Sequence, residues 1–148
     1  MSNPRSSSLS ELARLGFESL SHTVAALEEL VSLVGDPGRS ALSSISKSAS
    51  PDSALAGVID LARLDAKLTA RLLAKEEIAD RLARILGASD GMRDFLLRHP
   101  DKISFGKRPA LPSAADLLDL SGETADELRV SYRSALFHVI DFDLSHED

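Results

Sequence analysis

The side chains of this chain best suited to chemistry are four histidines, His22, His99, His138 and His146, and one Asp-x-Asp pair, Asp141-Phe142-Asp143. A metal site needs ligands that converge, as the two histidines of His-Glu-x-x-His do on one helix face. None of the four stands at such a spacing to a second histidine or carboxylate, so no metal ligand is nominated. His22 falls in the first turn of a predicted helix and His138 inside another, places that suit surface or boundary side chains. Asp141 and Asp143 have the bare form of a two-carboxylate Mg²⁺ site. Residues i and i+2 share a face on a strand but diverge by about 200° on a helix. This pair ends a predicted helix with no Gly-Ser before it, and is expected not to chelate. Neither standard glycine-rich phosphate loop and no Gly-x-Ser-x-Gly elbow occurs. No catalytic, cofactor-binding or metal-binding residue is therefore nominated.

The elements that would position these groups are helices. Of the 148 residues 43 % are hydrophobic and 4 % aromatic, with no Trp. Ala and Leu dominate the apolar set, and both favour helix over strand. No stretch alternates apolar and polar residues long enough to be a half-buried strand. The expectation is an all-α fold, a compact helical domain of about six to eight short-to-medium helices. Its limits are drawn at residues 9–144, after a polar lead-in at 1–8 and before an acidic end at 145–148, with a loop near 101–112.

Zero cysteines remove disulfides, zinc ribbons, iron–sulfur clusters and thiol catalysis. A net charge of −6 argues against nucleic acid or an anionic membrane as partner. No apolar run approaches the ~20 residues that cross a bilayer, and residues 1–16 lack a secretory core. The expected location is the cytoplasm.

Along the chain, Ser8 and Glu11 have the form of a capping box, opening a helix that stops at Gly16, with Phe17 packing back. Val24, Leu27, Val31 and Val34 predict one apolar stripe on the next helix. The serine-rich stretch 39–50, anchored by Leu42 and Ile45, predicts a short helix or frayed turn. Ser50-Pro51-Asp52 starts a helix, Asp65 caps another, and Gly87 ends the one that buries Ile78, Leu82, Ile85 and Leu86. Ser89 opens a helix carrying Met92, Phe95 and Leu96, closed by His99-Pro100. Ser113 caps a short helix through Leu117 and Leu118. Thr124 and Glu127 form a second capping box, with Leu128, Tyr132, Ala135, Leu136 and Val139 on one face of the long helix that follows. Residues 63–108 carry an excess of basic side chains and 116–148 an excess of acidic ones. Either the two layers face each other or water, or the acidic last helix docks on a basic partner surface.

The segment 82–101, LARILGASDGMRDFLLRHPD, reads as helix, glycine turn, serine, helix and proline stop. It resembles the N-terminal helical region of the bifunctional glutamine synthetase adenylyltransferase/adenylyl-removing enzymes. The resemblance lies in Leu86-Gly87-Ala88-Ser89, Asp94-Phe95-Leu96-Leu97 and Arg98-His99-Pro100. Weaker blocks agree in order: 12–17 near the start, 53–57 opening a core helix, and 128–136, similar to the helix that leads into the family's first nucleotidyltransferase domain. Together they extend over most of residues 9–144.

The resemblance implies a parent enzyme that attaches AMP to a tyrosine of glutamine synthetase with ATP and Mg²⁺, and removes it by phosphorolysis. A PII-type signal protein reports nitrogen status to it. The family's catalytic motif, a Gly-Ser turn with Asp-x-Asp on strands, is absent here, so no catalytic residue carries over and the chain alone is expected to be inactive. Its expected partners are glutamine synthetase and the parent's own nucleotidyltransferase domain. Phe95, Leu96, Arg98 and His99 are the candidate contact cluster. Alternatively Phe95 and Leu96 are core and His99 merely closes a helix. A free-standing helical adaptor is the other functional class in view. A fragment should leave an apolar patch exposed along Leu128–Val139, whereas an adaptor should have a closed core.

Overall fold

The computed structural model describes residues 4–113 and 124–146, with the side chains of its first segment described from residue 9 onward. Among the described residues there are eight α-helices, one 3-10 turn and no strand, as the Ala- and Leu-rich composition predicts. The helices are α1 (Pro4–Arg14), α2 (Leu20–Val34), α3 (Asp36–Ser46), α4 (Pro51–Leu64), α5 (Ala66–Leu73), α6 (Glu76–Ala88), α7 (Asp90–Arg98) and α8 (Ala125–Ser145), with the 3-10 turn at Pro100–Lys102 before α8. The contacts gather into two compact units, Met1–Asp90 and Gly91–Asp148. Beyond its first residue, Ser113, the predicted helix through Leu117 and Leu118 lies outside the described residues.

In the first unit, α4 packs on α6 and α2, and α3 packs on α6 and α2. Leu30, Ile45, Val58, Leu61, Leu82, Ile85 and Leu86 are fully or almost fully buried there. Each such side chain contributes about 1.5–3 kcal/mol of transfer free energy. The turn after α1 is a Schellman motif: Gly16 takes φ +97°, its N–H reaches the Ala13 carbonyl at 3.2 Å and the Phe17 N–H reaches Leu12 at 3.1 Å. Phe17 and Leu12 are both buried, the apolar pair that accompanies this motif. Asp65 caps α5 by accepting from the Leu68 N–H at 3.0 Å, as predicted.

Four local expectations are corrected. First, α1 begins at Pro4, so Ser8 stands inside the helix rather than at its cap; proline is at home in a first turn, where its missing N–H costs nothing. Second, α2 buries Thr23, Leu30 and Val34, while Val24, Leu27 and Val31 are half-buried. The face turns because Thr23 is held inward by its hydroxyl, 2.9 Å from the Ser19 carbonyl and 3.3 Å from Asp52 on α4. Third, of the short helix or frayed turn read over 39–50 the helix forms, but at 36–46, opened by Asp36 and Pro37 and anchored by buried Ala41, Ser44 and Ile45. Fourth, α6 runs through Gly87 to Ala88. A Cβ at Gly87 would stand 2.7–2.8 Å from Ser48 and 3.1 Å from the Ser50 carbonyl. That glycine is a packing contact between α6 and the 48–50 turn, not a helix stop.

In the second unit, Met92, Phe95 and Leu96 of α7, Ile103 after the turn and Phe137 of α8 are buried. The Phe105 and Phe137 rings meet at 5.3 Å. The capping box at Thr124 and Glu127 forms as predicted, each bond 3.2 Å long. The apolar stripe of α8 is only partly covered. Leu128 is 46 % and Tyr132 59 % exposed, Ala135, Leu136 and Val139 are half-buried, and the helix buries Phe137 and Asp141 instead.

Candidate functional site

α7 and the first turns of α8 enclose an open groove of about 540 Å³ in the second unit. The periodicity of α7 explains its share. Met92, Phe95 and Leu96 bury the face spaced i, i+3, i+4, leaving Gly91, Asp94 and Arg98 to line the cavity beside the edge of Phe95. Asp90 in the first turn and Arg98 in the last complement the helix dipole. Pro100 forces His99 out of helical geometry, to φ −131° and ψ 64°. The His99 ring then lies 5.1 Å from Phe95, tilted by 42°.

The opposite wall is Asp126, Arg129, Val130 and Arg133 of α8, spaced i, i+3, i+4, i+7 and so on one face. Three arginines and one histidine thus line a single cavity with two aspartates. Asp126 is paired with Arg129 at 3.4 Å, but both side chains are more than three-quarters exposed, and such pairs are worth little. Among the described residues, neither Arg98 nor Arg133 has a carboxylate at ion-pair distance.

Of the sequence-nominated cluster, Phe95, Arg98 and His99 line this groove and Leu96 does not. Phe95 and Leu96 are 5 % and 1 % exposed, Arg98 is exposed and His99 half-buried. Arg129, Val130 and Arg133 lie outside that cluster. Their signal was present: in the acidic stretch 116–148 Arg129 and Arg133 are the only basic residues, and they stand four apart.

A second concavity of about 400 Å³, in the first unit between α2 and α4, is occupied by internal pairing. Arg63 grips Glu29 through two hydrogen bonds of 2.7 and 2.8 Å. That bond holds the Glu29 carboxyl below its usual range and raises the Arg63 guanidinium. Asp52 accepts the Glu18 N–H at 2.9 Å, tying α4 to the start of α2.

The Asp-x-Asp pair lies within α8, with Asp141 buried and Asp143 exposed, so the two do not converge and do not fit a shared Mg²⁺. No group of three or more His, Asp or Glu side chains that could hold a metal ion occurs among the described residues. His138 meets Phe137 edge-on at 5.0 Å, and His146 stacks on Phe142 at 4.1 Å. Among the described residues no helix is long and apolar enough to cross a membrane.

No family model matches the chain, and no solved structure does. Three proteins described as bifunctional glutamine synthetase adenylyltransferase/adenylyl-removing enzyme are similar to it. The protein from Leifsonia xyli subsp. xyli is 40 % identical over 95 % of this chain and 16 % of its own length. Those from Streptomyces avermitilis and Streptomyces coelicolor are 34 % and 31 % identical, each over 91 % of this chain and 15 % of its own. The chain spans less than a fifth of the length of these relatives. It is therefore similar, along nearly all of its residues, to one segment of the bifunctional glutamine synthetase adenylyltransferase/adenylyl-removing enzymes.

Proposed function

We propose that this chain acts as a non-catalytic helical segment of a glutamine synthetase adenylyltransferase/adenylyl-removing enzyme. The observation that carries the reading is the similarity over 91–95 % of the chain. Exposed Leu128 and Tyr132 on α8 support a packing role, because large apolar side chains side by side on a surface are more stable covered. On this reading α8 packs on the parent's nucleotidyltransferase domain. AMP transfer to glutamine synthetase, phosphorolytic removal, ATP and Mg²⁺ then belong to the assembled enzyme, which works in the cytoplasm and answers to a PII-type signal protein. Arg98 and His99, at the open end of α7, are the parts of the nominated cluster with surface to offer a partner.

The test mixes the purified chain with the Leifsonia xyli enzyme from which the matching segment has been deleted. A complex on size exclusion, with recovered AMP transfer to glutamine synthetase, is the expected result. Failure to associate, with the deleted enzyme unaffected, would remove the reading. A free-standing helical adaptor is the second reading, favoured by the open arginine-lined groove. It predicts that the deleted enzyme is ignored while an unrelated protein is bound through the groove.

A further inference from the structure

We propose that the groove between α7 and α8 is a binding site for a small phosphate monoester. Its phosphate is held by Arg98, Arg129 and Arg133, and its organic part lies against Phe95 and Val130. This does not depend on the enzyme reading above.

The charge pattern carries the inference furthest. The chain has a net charge of −6, and the stretch containing α8 is its most acidic. Yet the two basic residues of that stretch both line one cavity, which a third arginine lines from α7. Like charges gathered in one cavity repel, and an anion between them removes that cost. Arg98 and Arg133 have no carboxylate at ion-pair distance among the described residues, so their forks are available. Among the described residues Arg129 pairs with its exposed i−3 neighbour Asp126.

The number of forks selects the ligand. A carboxylate offers two oxygens, which a single guanidinium fork can satisfy. A phosphate monoester offers three strong acceptor oxygens and carries close to two negative charges near neutral pH. Three arginines on two helices outnumber Asp94 and Asp126 in the lining of the groove, so a phosphate ester meets more positive than negative charge there. The cavity of about 540 Å³ is much larger than a phosphate ion, and falls in the size range of small-molecule sites. Phe95 and Val130 supply apolar lining, with the His99 ring 5.1 Å from Phe95, as an organic substituent requires.

The experiment titrates phenyl phosphate, inorganic phosphate and benzoate into the ¹⁵N-labelled 148-residue chain and follows the arginine Nε and backbone amide signals. Phenyl phosphate should saturate, shifting Arg98, Arg129 and Arg133, and should bind tighter than inorganic phosphate. Benzoate, with the same ring but two terminal oxygens in place of three and a single negative charge, should bind at least about tenfold more weakly. Arg98→Gln and Arg133→Gln should each cost about tenfold in affinity. Arg98→Lys, which keeps the charge but loses the fork, should fall between wild type and Gln. Both arginines are exposed, so the amide spectrum of each variant should stay folded. Arg71→Gln, on an exposed face of α5, should change nothing. No saturation by about 10 mM phenyl phosphate would overturn the proposal. So would equal binding of benzoate, or equal loss in Arg71→Gln. A phosphotyrosine peptide binding a hundredfold tighter than phenyl phosphate would also overturn it, since the ligand would then be a protein.

Discussion

Glu29 and Arg63 show how much one pair of side chains fixes. Their fork-to-carboxylate geometry ties α2 to α4 and depresses the Glu29 pKa, chiefly through the hydrogen bond from Arg63. A depressed carboxyl stabilises the fold above its ordinary pKa, and that contribution is lost as pH falls through the depressed value. The raised Arg63 group contributes wherever arginine is protonated, which is all of the accessible pH range. Arg63→Gln should return Glu29 to the usual glutamate range, read from the pH dependence of its carboxyl ¹³C shift. Gly87 is decisive for a different reason. Its missing Cβ lets α6 touch the Ser48–Ser50 turn, whose backbone carbonyl cannot move aside cheaply. Gly87→Ala gains about 1 kcal/mol of helix propensity but overpacks a close contact, so a net loss of about 1–2 kcal/mol is expected in urea unfolding. An unchanged midpoint would show that the turn yields.

At the scale of elements, caps and periods account for most of what forms. The box at Thr124 and Glu127 was legible because its two side chains satisfy backbone groups within four residues of each other. Thr124→Ala should cost about 1 kcal/mol and speed amide exchange in the first turn of α8, while leaving α1–α6 untouched. By contrast, Ser8 and Glu11 carry the same signature, yet stand inside α1. A cap signature says where a helix can begin, not that nothing upstream continues it. The stripe on α2 was misplaced for a tertiary reason: several helices surround it, and Thr23 is drawn inward by Asp52 from α4. The groove was half legible. Phe95, Arg98 and His99 were nominated from α7, but Arg129, Val130 and Arg133 required knowing which face of α8 lines the cavity.

For the whole molecule, the uncovered apolar side chains of α8 are the feature with consequences in solution. Leu128 and Tyr132 are about half exposed, on a helix that otherwise buries Phe137 and Asp141. The double variant Leu128→Lys/Tyr132→Lys should lower ANS fluorescence and concentration-dependent self-association on size exclusion. Its far-ultraviolet circular dichroism should match wild type, because neither side chain is core. Undiminished ANS binding would place the apolar surface elsewhere on the molecule.

The sequence by itself determined the helical class, most helix ends and the resemblance to the adenylyltransferase enzymes. These depend on local propensity, on caps within one turn, and on the order of short residue blocks such as Leu86-Gly87-Ala88-Ser89. Tertiary structure alone decided that Gly87 is a contact rather than a stop, which face of α2 is inward, and that the arginines of two helices meet in one groove. Each of these requires two segments far apart in the chain to be brought together. No window of neighbouring residues encodes that distance.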